Sequence, residues 1–149
     1  MLRLLLAAFH LLGLGVGLGA VWTRAAALAA PLDGPGMRRA LAADAWWGVA
    51  ALLWLGTGLW RLLAGVEKPT GFYLSNHLFW TKMGLFVLIL ALEIRPATVL
   101  TRWRRAGSRG GVPDTTPAAG MATTSRVQAF LVVAMVLVAT AMARGVGAP

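Results

Sequence analysis

The 149-residue chain is 58% hydrophobic, and only 13% of its residues are charged. Soluble domains carry about a quarter charged residues, so this composition indicates a protein that lies in lipid. The net charge of +9 comes from basic residues that punctuate apolar runs, which argues against nucleic acid as a partner. The sequence contains no cysteine, and this excludes disulfides, thiolate metal sites and cysteine nucleophiles.

Four apolar segments follow one another along the chain, and each is long enough to cross about 30 Å of hydrocarbon as a helix. Their continuous hydrophobicity favours helices over the alternating strands of a membrane barrel. We therefore predict an all-α integral membrane bundle of four transmembrane helices, forming a single membrane domain over 1–149. A Gly-, Pro- and Thr-rich stretch at about 106–125 is predicted to be a flexible cytoplasmic loop. The predicted helices cover about 4–22, 45–63, 78–100 and 127–143.

The first segment also resembles a secretory signal peptide, because Arg3 precedes an apolar core and small residues precede Pro31. The apolar stretch is about 19 residues long, longer than a typical signal core, and Arg24 follows it. We expect a retained transmembrane helix.

His10 is the polar side chain of note within the first segment. A histidine at this depth can ligate haem iron, bind another metal or carry a proton, and it can also hydrogen-bond a neighbouring helix. Two pairs of glycines follow it, each with a spacing of four residues. Gly13 and Gly17 share its face, and Gly15 and Gly19 lie on nearly the opposite face. Both pairs are predicted to let another helix approach closely.

The third segment contains ionisable residues, which are costly in lipid and are therefore expected to face the bundle interior. Lys82 and Glu93 fall on one stripe with Phe86 and Ile89. Lys82 and Glu93 are about 16 Å apart along the axis, so each needs its own partner. Lys82 is expected to extend towards headgroups or to bind an anion, and Glu93 to pair as a buried charge with Arg95 or with arginines of the loops.

Two further residues are candidates for a ligand or for an ion pair. His77, at the start of the third helix, is a candidate second axial ligand or a solvated interfacial histidine. Asp44, at the start of the second helix, is expected to cap that helix or to pair with loop arginines.

The distribution of basic residues predicts the orientation. The loops after the first and third helices hold nine arginines, whereas the other side has five basic residues. The more basic loops should be cytoplasmic, which places both termini outside. Trp22, Trp46, Trp47 and Trp103 mark the inner interface in this arrangement, and Trp60 and Trp80 mark the outer one.

The stretch from Phe72 to Lys82, with the run to Glu93-Ile94-Arg95-Pro96, resembles a bacterial membrane family known as a domain of unknown function. The second helix, from Ala43 through Gly56-Thr57-Gly58 to Arg61, and the terminal Met142-Ala143-Arg144-Gly145 fit the same family. The resemblance covers nearly the whole chain. It implies a four-helix bundle in the bacterial cytoplasmic (inner) membrane, with no established activity.

A more distant resemblance concerns cofactors. The opening run to His10 is similar to the start of HemJ-type protoporphyrinogen oxidases, and Trp80-Thr81-Lys82-Met83 resembles their Trp-x-Lys segment and CopD-like membrane proteins. This resemblance implies haem b or a porphyrin held by His10 and Lys82. The chain departs from the oxidases after its first helix, where it reads Val21-Trp22-Thr23-Arg24.

Three functions follow from these observations. The sequence has no recognisable catalytic set, and its glycine pairs favour an accessory or structural subunit of a larger membrane complex, in contact with lipid and with other subunits or further copies of itself. The alternative is a haem- or porphyrin-binding redox protein that uses His10 and Lys82. A third possibility is proton conduction along the Lys82–Glu93 face.

Overall fold

The computed structural model describes residues 1–65 and 70–147. The described residues form helices and turns, without a strand. The helices are α1 (Leu2–Ala29), α2 (Gly34–Leu63), the short α3 (Thr70–Ser75), α4 (His77–Ser108) and α5 (Ala118–Ala143). The four longer helices are each long and apolar enough to cross a membrane. The predicted fold class, an all-α bundle of four transmembrane helices, is confirmed.

The helices are arranged around α1 and α5. α1 packs along α2 and α5, and α4 packs along α5, whereas α2 approaches α4 closely at few positions. Gly13 of α1 lies against Trp54 and Gly17 against Trp47, so α1 and α2 are antiparallel. We call the end of the bundle that contains His10 the His10 end, and the opposite end the Arg24 end.

All four long helices continue beyond the predicted apolar segments at the Arg24 end. α1 runs on to Ala29, α2 begins at Gly34, α4 ends at Ser108 and α5 begins at Ala118. The predicted flexible loop at about 106–125 is therefore shorter, and residues 109–117 join the two helices. The extensions are stable because they enclose an apolar cluster of their own, which includes Ala27, Leu28, Ala40, Leu100, Trp103 and Met121.

Side-chain caps fix where α2 and α4 begin. Asp33 accepts a hydrogen bond from the backbone nitrogen of Gly36 at 2.8 Å, and a Cβ at Gly36 would collide with the carbonyl oxygen of Pro31. Asn76, which is fully buried, accepts from the backbone nitrogen of Leu78 at 2.8 Å. Its amide donates to the carbonyl oxygen of Val146, and this bond ties the turn after α5 to the start of α4.

Candidate functional site: the Arg24 network

Among the residues that the structure describes, the most extensive polar contact surrounds Arg24 of α1, whose side chain is fully buried in the bundle. Its guanidinium donates two hydrogen bonds of 2.7 Å to the two carboxylate oxygens of Glu93 on α4. It also donates to Asp44 of α2 at 2.8 Å, and to Ser125 and Gln128 of α5 at 3.0 and 2.8 Å. A guanidinium has five N–H donors, and all five are used here.

A second arginine completes this cluster. Arg104 of α4 forms an ion pair of 2.7 Å with the other carboxylate oxygen of Asp44. It also donates to the backbone carbonyl of Leu41 at 2.9 Å. Gln128 donates in turn to Glu93 at 2.8 Å and to the carbonyl of Ile89 at 3.2 Å. We call this set the Arg24 network; its members are Arg24, Asp44, Glu93, Arg104, Ser125 and Gln128.

The Arg24 network is electrically neutral, because it combines two arginines with two carboxylates. It takes side chains from all four long helices, and the face of Trp47 lies 5.9 Å from the Arg24 guanidinium carbon. A buried charge without a partner is strongly unfavourable, so each helix must be in place for the others to be stable. The arrangement therefore holds the bundle together and leaves no hydrogen of the Arg24 guanidinium for a ligand.

The network identifies the partner of Glu93. The stripe predicted to face the bundle interior does so: Ile89 is buried, and Lys82, Phe86 and Glu93 are partly buried. Of the two partners expected for Glu93, Arg95 is exposed on the outside of α4, so the expectation that Arg95 is a buried charge is wrong. Glu93 binds Arg24, which the sequence analysis counted among the loop arginines. Residues 94 and 95 point away from the stripe because a helix turns by about 100° per residue.

At the opposite end, His10 joins α1 to α2 through both ring nitrogens. The indole nitrogen of Trp54 donates to Nε2 of His10 at 2.9 Å, and Nδ1 lies 3.0 Å from the Thr57 hydroxyl. That hydroxyl donates to the carbonyl of Leu53 at 2.7 Å, so it accepts from Nδ1–H of His10. The imidazole is thus neutral, with its proton on Nδ1. We call His10, Trp54 and Thr57 the His10 cluster.

The His10 cluster does not fit an iron ligand. An indole N–H is a donor only, so the lone pair of Nε2, which would bind haem iron, is already engaged by Trp54. Gly58 packs on the ring itself, since a Cβ there would come within 3.1 Å of its Cε1. Among the described residues there is no group of three or more histidines and acidic residues that could hold a metal ion.

The remaining predicted site residues, His77 and Lys82, belong to neither the Arg24 network nor the His10 cluster. His77 is exposed in the first turn of α4. Lys82 is at the His10 end, and an apolar layer that includes Ile89, Leu85, Phe86 and Trp54 separates it from Glu93. Apolar side chains thus occupy the part of the α4 stripe that lies between Lys82 and Glu93.

The two glycine pairs differ in their surroundings. A Cβ at Gly13 would lie 3.4 Å from the backbone nitrogen of Trp54, and one at Gly17 would lie 3.4 Å from Ala50. Gly13 and Gly17 therefore allow α2 to pack closely on α1. Gly15 and Gly19 have no atom within 4 Å of their Cβ positions, so they do not contribute to packing inside the bundle.

The sequence interpretation missed Arg24 by assigning it to a loop, but a signal was present. Arg24 continues the helical face of His10, Gly13 and Gly17 at spacings of three and four residues, and Ala20 and Val21 lie between. Gln128 was also detectable, as a polar residue inside the fourth apolar segment. Arg104 gave no comparable signal, because it does not differ from an ordinary interfacial arginine.

Comparisons with known proteins give a family without an established activity. No curated protein and no solved structure matches the chain. A family model described as "Predicted membrane protein (DUF2214)" matches residues 2–147, nearly the whole chain. The protein is a member of this family of membrane proteins of unknown function.

Proposed function

We propose that the protein is a non-catalytic structural subunit of a larger membrane assembly, in contact with the helices of another membrane protein. The observation that carries this proposal is the face of α1 that points away from the bundle. Gly15 and Gly19 lie on it with open space around them, and a shallow apolar groove next to them is lined by Ala8, Leu11, Leu12, Gly15 and Val16.

This face has the composition of a helix-packing surface. Two glycines one turn apart expose backbone that a second transmembrane helix can approach at short distance. Lipid chains fill such a groove less well than a rigid helix does, and van der Waals packing is a main driving force for helix association in membranes. The other pair, Gly13 and Gly17, allows α2 to approach α1 closely in the same way.

The interior of the bundle supports a structural role. The polar side chains that bind one another there, in the Arg24 network and the His10 cluster, use their hydrogen-bonding groups on other helices of the same chain. A catalytic group needs access to a substrate and freedom to change its protonation state. Arg24 has neither, and His10 is neutral with both nitrogens engaged.

The test is the Gly15→Leu variant, isolated from its native membrane in a mild detergent. The added side chain occupies the α1 groove, and we expect it to reduce co-purification of partner subunits about tenfold, since overpacking of an interface costs about 1–3 kcal/mol. Gly84→Leu is the matched control, because Gly84 on α4 is equally open. A wild-type protein that runs alone at its monomer mass, or a Gly15→Leu variant that keeps its partners, would contradict the proposal.

We further propose that the protein lies in the bacterial cytoplasmic membrane with the Arg24 end in the cytoplasm and both termini outside. Arg24 no longer counts as a loop residue, but the charge asymmetry that supports this orientation persists. At the His10 end, Arg3 and Arg144 are exposed, whereas Arg61 and Lys82 are partly buried. The exposed arginines at the Arg24 end are Arg38, Arg39, Arg95, Arg102, Arg105, Arg109 and Arg126.

Because the chain has no cysteine, single cysteines can report this orientation directly. Ser75 and Ser108 are a matched pair: both are exposed, each lies at the end of a helix, and each hydroxyl donates to the carbonyl three residues earlier. We expect a membrane-impermeant maleimide to label Ser75→Cys in intact cells with the outer membrane permeabilised, and to label Ser108→Cys only after lysis. The reverse pattern would overturn the orientation.

A further inference from the structure

We propose that the outward face of α4 at the Arg24 end binds the phosphate of an anionic phospholipid headgroup through a stripe of four arginines. The arginine stripe consists of Arg95, Arg102, Arg105 and Arg109. It is on a different helix from the α1 groove, and its ligand is a lipid instead of a protein.

The four arginines share one face of α4. Their spacings of seven, three and four residues place them within about 80° around the helix, because a helix turns by about 100° per residue. All four are exposed, whereas Leu100 and Trp103 of the same turns are buried. The arginine stripe therefore points away from the bundle.

The carboxylates of the described residues do not neutralise the arginine stripe. None of the ion pairs within residues 1–65 and 70–147 involves it. Two of the described carboxylates belong to the Arg24 network, Asp33 caps α2, and Asp114 accepts from the backbone nitrogen of Thr116. An arginine keeps its charge at any physiological pH, so the stripe attracts anions.

The same face of α4 is apolar before the arginine stripe begins. Val87, Ala91 and Ile94 are exposed on it. A phospholipid has the same order along its length, with acyl chains followed by a charged headgroup. When its phosphate lies at the arginines, its chains contact these apolar residues. An acidic protein segment has no comparable use for the apolar part of the face, so this order favours a lipid as the occupant.

The depth of the arginine stripe matches a headgroup. Arg95 is 18 residues after His77, the first residue of α4, or about 27 Å along the axis. The hydrocarbon core of a bilayer is about 30 Å thick. With the start of α4 at one interface, Arg95 therefore lies at the opposite edge of the hydrocarbon, and Arg102, about 10 Å further on, lies at the level of the headgroups.

The Arg95 side chain extends towards the same level. Gln128 of α5 donates to Glu93 of α4, so these two residues lie at one depth. α5 is antiparallel to α4, and Gly120 is eight residues, about 12 Å, nearer the Arg24 end than Gln128. The backbone of Arg95 is about 3 Å beyond Glu93, yet its Nη1 lies 4.0 Å from the position of a Cβ at Gly120. The guanidinium thus extends out of the hydrocarbon, as a lipid-facing arginine does to reach phosphates.

The experiment is native mass spectrometry of the full-length, delipidated protein titrated with phosphatidylglycerol or phosphatidylcholine in detergent. We expect phosphatidylglycerol to bind in preference, and Arg95→Gln/Arg102→Gln to weaken its binding about thirtyfold, since each cation near a membrane surface contributes about fivefold. Arg95→Lys/Arg102→Lys should retain most of the binding, because lysine also binds phosphate as a point charge. Arg38→Gln/Arg39→Gln is the matched control, because it removes two exposed charges at the same end, on α2.

Several outcomes would overturn the lipid site. Equal binding by the wild type and Arg95→Gln/Arg102→Gln would show nonspecific association, and equal losses in Arg38→Gln/Arg39→Gln would show that net charge attracts the lipid. Displacement by millimolar glycerol phosphate, which lacks acyl chains, would identify a soluble anion as the ligand. Displacement by polyglutamate would identify an acidic protein segment as the occupant. These readouts need no partner subunit and leave the α1 groove unchanged, so their failure is distinguishable from failure of the proposed structural role.

Discussion

Replacing Arg24 by methionine is expected to lower the free energy of unfolding by about 3 kcal/mol, a typical cost of removing one partner from a buried ion pair. The loss is large because Glu93 and Gln128 lose their guanidinium donors together. Asp44 keeps its bond to Arg104, so the unpaired charge is concentrated on Glu93. Since 19% of the Glu93 side chain is accessible, some solvation reduces the penalty towards the lower end of the range.

Unfolding of the purified variant in detergent, followed by circular dichroism, measures this effect. Arg39→Met is the matched control because Arg39 is exposed at the same end of the bundle, and it should unfold like the wild type. Adding Glu93→Gln to Arg24→Met removes the unpaired carboxylate and should recover part of the lost stability. If Arg24→Met is as stable as Arg39→Met, the network does not hold the bundle together.

The sequence predicted the fold class because apolar runs of this length have few alternatives to transmembrane helices. It did not predict helix length, since hydropathy changes at charged residues and not at helix ends. α4 contains 32 residues and is therefore about 48 Å long, well beyond the apolar thickness of a bilayer. Charged residues such as Arg102 and Arg105 lie on the outside of its final turns, while Leu100 and Trp103 are buried.

The sequence likewise predicted only part of the Arg24 network. The spacing of Lys82 and Glu93 correctly predicted an inward-facing stripe, and it correctly implied that the two charges do not pair with each other. The partner of Glu93 could not be read from spacing, because Arg24 is 69 residues away in the chain and its side chain reaches Glu93 across the bundle, between two helices that do not pack directly on each other. The hydrogen-bond partners of His10 on α2 were likewise not predictable from α1 alone.

The glycine pairs show most clearly what periodicity leaves open. Gly13 with Gly17 and Gly15 with Gly19 have the same spacing, so both predicted close helix packing. The structure places α2 on the first pair and no described residue on the second. Helical periodicity indicates which residues share a face, but the position of the neighbouring helix determines which face is covered.

This difference predicts opposite results for two substitutions that are two residues apart. Gly13→Leu is expected to destabilise the bundle by about 3 kcal/mol, the upper end of the usual cost of overpacking. A Cβ at this position already lies 3.4 Å from the backbone nitrogen of Trp54 and 3.5 Å from the carbonyl oxygen of Ala50. Backbone atoms cannot rotate away, so α2 must shift, and the hydrogen bond from Trp54 to His10 is stretched with it.

Gly15→Leu is the control for this substitution, because it adds the same side chain to the same helix where no atom lies within 4 Å of the Cβ. Thermal unfolding of the isolated chain in detergent should show a lower midpoint for Gly13→Leu and an unchanged one for Gly15→Leu. Equal losses would mean that leucine weakens α1 through some general effect on the helix. If Gly15→Leu leaves the isolated chain intact yet removes its partners from the native membrane extract, the two faces of α1 have separate functions: one joins α1 to α2, and the other joins the bundle to another protein.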